Sequence, residues 1–138
     1  MTKLNKEVIK IAKVGEVYKC EVCGNVVSII EEGPGTLVCC NTDMILLEEQ
    51  TIEKEGNEKH VPVVEIEGNK VIVKVGNVEH PMEENHFIEM IQLLRNNKLV
   101  AEKRLFPNDK PKAEFFIENP DNIRARALCN MHGLWTSK

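Results

Sequence analysis

Apolar and polar positions alternate at strand spacing through most of the second half of the chain. Val61 to Glu67, Val71 to Val75, Phe87 to Arg95, Leu99 to Phe106, Ala113 to Glu118 and Ile123 to Cys129 are segments of this kind, punctuated by turn signals such as Gly68-Asn69 and Asn96-Asn97. Six or so strands predict a β-sandwich. Ile123-Arg124-Ala125-Arg126-Ala127-Leu128 alternates strictly enough to predict one buried and one wet face. Helical propensity competes at Glu89-Met90-Ile91-Gln92-Leu93-Leu94-Arg95, but Asn96-Asn97 and the apolar run after it make a hairpin more economical.

The first half reads differently. From Gly15 to about Leu47 come four cysteines, four glycines and Pro34, with two short apolar runs, Val26-Val27-Ser28-Ile29-Ile30 and Thr36-Leu37-Val38. This predicts a tiny β unit with too little apolar surface for a core, which needs a metal to fold. Residues 1–14 form a lysine-rich lead-in with Leu4, Val8 and Ile11 at helical spacing, a run too short to be stable as an isolated helix. Glu48 to Glu58 is polar and charged and reads as a linker, with the second unit starting near His60. The expected organisation is a lead-in at 1–14, a metal-stapled domain at 15–50 and a sandwich domain at 51–138.

Composition narrows the function. The net charge is -4 and no Lys/Arg cluster is interleaved with aromatics, so binding to a phosphate backbone has no electrostatic footprint. Apolar runs fall far short of the ~20 residues that span a bilayer. Met1-Thr2-Lys3-Leu4-Asn5-Lys6-Glu7 offers no continuous apolar stretch of the kind that directs export, which sets a cytoplasmic location as the expectation. Five cysteines in that reducing setting point to metal or redox chemistry, not to a disulfide framework.

Cys20-Glu21-Val22-Cys23 is a C-x-x-C knuckle, and Cys39-Cys40 lies sixteen residues beyond Cys23. Four thiolates from two short loops make a tetrahedral site for zinc or a single iron. A zinc ribbon would use a second knuckle, whereas adjacent cysteines start on opposite faces of an extended chain. Bringing both sulfurs to one metal requires a local twist. Val17-Tyr18-Lys19-Cys20-Glu21-Val22-Cys23-Gly24 and Gly35-Thr36-Leu37-Val38-Cys39-Cys40 closely resemble desulforedoxin and the amino-terminal domain of desulfoferrodoxins. The resemblance implies one iron on Cys20, Cys23, Cys39 and Cys40, with structural zinc and thiol redox chemistry as the alternatives.

His60, His80, His86 and His132 all fall at strand or loop boundaries of the second unit, together with the remaining Cys129. Four imidazoles and one thiolate are five ligands, a set that suits iron and leaves a sixth octahedral position open. Glu58-Lys59-His60-Val61-Pro62, His80-Pro81-Met82-Glu83-Glu84-Asn85-His86 and Cys129-Asn130-Met131-His132-Gly133-Leu134-Trp135 resemble the signature blocks of superoxide reductases. Phe87, Met90 and Asn85 depart from what is common there, and none of them is a ligand.

The resemblance implies an all-β chain, a small desulforedoxin/rubredoxin-like domain followed by an immunoglobulin-like sandwich. It implies the four histidines as equatorial ligands, Cys129 as the axial one, and Glu58 as the carboxylate that fills the sixth position of ferric iron after product release. Superoxide would be reduced to hydrogen peroxide with electrons from a small donor, rubredoxin by resemblance, in a homodimer. An axial thiolate pushes electron density onto iron, and Lys59 beside His60 can attract the superoxide anion and organise proton delivery. The competing functions are a rubredoxin-like electron carrier, a zinc-stabilised binding module and a dismutase.

Overall fold

The computed structural model describes residues 11–51 and 59–137. The described residues are all-β, and among them no helix is long and apolar enough to cross a membrane. Internal contacts divide the chain after Leu47 into two units.

The first unit is made of very short strands. β1 (Ile11–Ala12) pairs with β4 (Gly33–Pro34), β2 (Val17–Lys19) lies between β3 (Val26–Ser28) and β7 (Ile45–Leu46), and β5 (Val38–Cys39) pairs with β6 (Thr42–Asp43). Val17 and Cys20 are buried there, whereas Val22, Ile30, Val38, Ile45 and Leu46 are exposed. The expectation of a unit without a real core holds. Of the lead-in, residues 1–10 lie outside the described residues, and Ile11 is in a strand, not in a continuing helix.

The second unit packs two antiparallel sheets. One has the order β11 (Lys98–Arg104), β10 (Ile88–Arg95), β13 (Ile123–Cys129), β14 (Gly133–Thr136), and the other β12 (Lys112–Phe116), β9 (Lys70–Val75), β8 (Pro62–Glu67). Seven strands split four and three are the layout of an immunoglobulin-like sandwich. Between the sheets lie Val71, Val73 and Val75 of β9, Ile91 and Leu93 of β10, Phe115 of β12, and Ala125, Ala127 and Cys129 of β13. The helical competitor is β10. As a central strand buried on both faces it reads as a nearly continuous apolar run, and Asn96 and Asn97, with φ of 52° and 65°, supply the two left-handed residues of a tight hairpin.

The expected wet face of residues 123–128 is corrected by the structure. Arg126 is only 1% exposed. Its Nη1 donates to Glu49 Oε2 at 2.7 Å, while Nε and Nη2 donate to Gln92 Oε1 at 2.9 and 2.7 Å. Arg124 donates to both oxygens of the same Glu49, at 2.8 and 3.1 Å. β13 sits between β10 and β14, and Glu49 pairs with both arginines, so Arg126 is covered and Arg124 is half-buried. Burial raises the Glu49 carboxyl and the two guanidiniums pull it down, with a net lowering.

Candidate metal centres

In the first unit β2 runs into the knuckle, which Gly24 closes at φ 87° with its N–H donating to the Cys20 carbonyl at 2.9 Å. The second pair sits on the β5–β6 hairpin. Cys40 and Asn41 have φ of 54° and 63°, the local twist that adjacent ligands demand. The Cys23 and Cys39 sulfurs stand 3.6 Å apart and those of Cys39 and Cys40 4.0 Å. A tetrahedron with metal–sulfur bonds near 2.3 Å has edges of about 3.8 Å, and all four sulfurs lie within 4.8 Å of one another. They are free thiols, much too far apart for S–S bonds.

Their acidities show what the cluster lacks without a cation. The Cys23 amide and further hydrogen bonds bring the Cys20 thiol down to about 6 against the opposing effect of burial. Cys40 is pushed up to about 12, first by its hydrogen bond with Cys23 and then by Cys20 and Cys39. Four thiolates at this spacing coexist only around a positive ion.

The second centre is assembled from three loops at one end of the sandwich. Lys59 and His60 lead into β8, and Gly76, at φ 85°, packs against this segment so closely that an added Cβ would stand 2.4 Å from the Lys59 carbonyl oxygen. His80 and His86 lie in the loop between β9 and β10. Cys129 ends β13, and His132 sits in the turn to β14. Asn130 ties two of the loops, accepting from the Phe87 amide at 3.0 Å and donating to the Asn85 carbonyl at 3.2 Å.

The four imidazoles form a closed ring. Centroids of His60 and His80, His80 and His86, His86 and His132, and His132 and His60 are 4.7, 4.8, 5.0 and 4.9 Å apart, each pair edge to face, and the diagonal from His60 to His86 is 6.4 Å. His60 Nε2 and His132 Nδ1 approach to 3.2 Å, and Cys129 Sγ lies 3.8 Å from that Nδ1. Two nitrogens at right angles around a metal with bonds near 2.1 Å are about 3 Å apart. One donor from each of His60, His86, His132 and Cys129 fits within 4.8 Å. His80 falls outside that tightest group, although its ring borders two members of it.

Burial and protonation favour metal binding. His80 Nδ1 donates to the Pro81 carbonyl at 2.7 Å, which turns the lone pair of Nε2 inward. Nε2 of both His80 and His86 is buried without a hydrogen-bond partner, a costly state for an imidazole that a metal ion relieves. Burial, followed by the charges of the other histidines, takes His80 down to about 4, so it is a neutral ligand at physiological pH. His86 is lowered by burial first, then by His132 and His60, and Lys59 adds to the lowering. The Lys59 ammonium therefore reaches the site electrostatically. Burial raises the Cys129 thiol against hydrogen bonds from the Met131 and His132 amides, which await the thiolate. Glu58 lies outside the described residues.

The desulfoferrodoxin model matches residues 52–138, and the model of the desulfoferrodoxin N-terminal domain matches residues 12–47. The chain belongs to the desulfoferrodoxin family. A desulfoferrodoxin homolog from Archaeoglobus fulgidus is 55% identical over 125 residues, covering 91% of this chain and 98% of that protein. The superoxide reductase from Treponema pallidum aligns with a TM-score of 0.72 and 26% identity over 89% of this chain and 97% of that one. A one-iron superoxide reductase from Giardia intestinalis, 32% identical with a TM-score of 0.54, matches 59% of this chain and 96% of its own.

Three residues of this desulfoferrodoxin-family chain shape the second centre without having stood out as site residues in the sequence. Trp135 stacks on His60, with centroids 4.8 Å apart and planes 19° apart, and its indole N–H donates to the His132 carbonyl at 3.0 Å. Its position as the one tryptophan of the chain, three residues after a histidine, was the available signal. Gly76 and Gln50, whose Nε2 donates to the His132 carbonyl at 2.8 Å, carried none, because their effects depend on approaches between distant segments.

Proposed function

We infer that the chain is a superoxide reductase: one superoxide, one electron and two protons yield one hydrogen peroxide, with no dioxygen formed. The observation that carries this reading is the ring of four imidazoles beside a buried thiol, with donors of His60, His86, His132 and Cys129 within 4.8 Å of one another. It fits iron with one open position, and the family relation supports the same reading. When bound there, the iron supplies the electron and the open coordination position at which superoxide reacts.

The roles proposed for the ligands and Lys59 draw on the arrangement of their side chains, and the role of Glu58, outside the described residues, on the resemblance alone. His60, His80, His86, His132 and Cys129 would hold the metal, Cys129 supplying a thiolate from the end of the core strand β13. Lys59, half-buried and felt electrostatically at His86, attracts the anion and orders proton delivery to the developing peroxide. Glu58, its neighbour in sequence, provides a carboxylate for the open side after product release. Cys20, Cys23, Cys39 and Cys40 hold a second iron, and their sulfur spacing supports a tetrahedral site.

The electron donor in this reading is a small redox protein of the rubredoxin kind, and the setting is the cytoplasm. A homodimer forms through the first unit, whose exposed Val22, Ile30, Val38, Ile45 and Leu46 are more apolar surface than so small a unit leaves open to water. The domains proposed are a four-cysteine domain that starts at 15 and a reductase domain to which Glu49 and Gln50 already bond, in line with the division after Leu47.

Product stoichiometry tests the activity. With superoxide supplied and a reductant present, one hydrogen peroxide per superoxide and no dioxygen is expected. Dioxygen release would make the chain a dismutase, and failure to consume superoxide would leave an electron carrier. Lys59→Ala is expected to slow superoxide capture and weaken its ionic-strength dependence with iron content unchanged. Wild-type kinetics at every ionic strength would remove Lys59 from the reaction.

A further inference from the structure

His132 stands apart from the other four donors of the second centre: it is exposed, whereas His60 and His86 are half-buried and His80 and Cys129 are buried. An exposed ligand in a turn has little packing to hold its ring. Its backbone, however, is held from two sides. Gln50 Nε2 donates to the His132 carbonyl at 2.8 Å, and the Trp135 indole N–H donates to the same oxygen at 3.0 Å.

Gln50 is itself fixed. Its backbone N–H donates to the Leu134 carbonyl at 2.9 Å, its carbonyl accepts from Thr136 N–H at 2.9 Å, and it forms a parallel bridge with Trp135. Gly133, at φ 86°, leaves the room for the amide, since an added Cβ would stand 3.0 Å from Gln50 Nε2.

We propose that Gln50 and Trp135 form a two-donor clamp on the His132 carbonyl that aims Nδ1 of this ligand at the metal. Both are positioning residues, acting through His132 and touching neither substrate nor metal. Groups that orient metal ligands in this way typically change metal affinity by about 10–100-fold when removed. The proposal rests on the reading of the second centre as an iron site.

The test uses the full chain loaded with iron. Gln50→Leu keeps the backbone bridge and removes the donor, Gln50→Glu sets an acceptor against an acceptor, and Trp135→Phe keeps a ring over His60 while removing the indole N–H. Iron loss to an excess of chelator is followed through the thiolate-to-iron absorption of the second centre, and thermal unfolding of each metal-free variant is recorded beside it. Each Gln50 variant should lose iron about tenfold faster and shift the absorption band, with a metal-free unfolding midpoint close to wild type. Trp135→Phe should release iron faster by a similar factor.

Wild-type iron loss and an unmoved band in Gln50→Leu overturn the clamp. So does a fall in the metal-free midpoint with iron retention unaltered, which is what a merely structural role predicts. Should the Gln50 variants not fold, Trp135→Phe decides, and wild-type retention there overturns the proposal. A wild-type chain that takes up no iron at the second centre would instead sink the site reading.

Discussion

The two units of this chain solve the same problem, holding thiolates and imidazoles at metal distance, by opposite means. In the first unit strands are two or three residues long and Val17 and Cys20 are the buried apolar side chains among those described. In the second, strands of up to eight residues enclose a core from which Cys129 projects as the last buried residue of β13. Hydrophobic burial holds the second unit and places the ligands at its end. The first has no comparable source of stability, so the metal must provide it.

Removing both metals should separate the two units. Because structural metal sites supply apparent free energies on the order of 10 kcal/mol, amide protection should vanish in the four-cysteine unit and persist in β9, β10 and β13. Protection retained throughout the metal-free first unit would contradict the contrast.

A core truncation gives the next largest effect. Leu93→Ala, at a fully buried position between the sheets, should cost about 2–5 kcal/mol in denaturant unfolding followed by Trp135 fluorescence. The visible absorption of the first centre should be unchanged below that transition, and its loss in parallel would show that the units share their stability.

Glu49→Ala should cost less, about 2–3 kcal/mol. It strands the buried Arg126, but Glu49 is itself 30% exposed and Gln92 still accepts from the guanidinium. A denaturation midpoint equal to wild type would mean that the pair contributes no net stability.

The smallest effect is on pH. His80 is held at about 4 in the folded chain against an ordinary 6.5, so the unfolded chain takes up a proton first as the medium is acidified. Stability from this side chain is complete above pH 6.5 and is lost as pH falls toward 4. Denaturant midpoints of the metal-free protein should decline across that window, and a flat profile would count against a neutral, buried His80.

Much of this was legible in sequence because it depends on local pattern. The knuckle, the adjacent cysteine pair, the alternating strands and the Asn96-Asn97 turn are encoded within a few residues each. The burial of Arg126 was not, since it depends on Glu49 arriving from more than seventy residues upstream in the sequence. β14 was read as part of a ligand block, because Gly133-Leu134-Trp135-Thr136 is short and its pairing with β13 is visible only in the register. The ring of histidines was anticipated as a set, whereas the nitrogen each one presents depends on partners such as the Pro81 carbonyl. Glu58 is the one proposed site residue outside the described residues.

Cys40 has a consequence for how such a sequence can change. A left-handed backbone costs a residue with a Cβ about 1–2 kcal/mol, and asparagine, which occupies the next position, tolerates it better. Cys40→Asn would therefore relax the metal-free hairpin while deleting a ligand. At this position local stability and metal binding select in opposite directions, a point of frustration that persists only while the chain is selected for its metal.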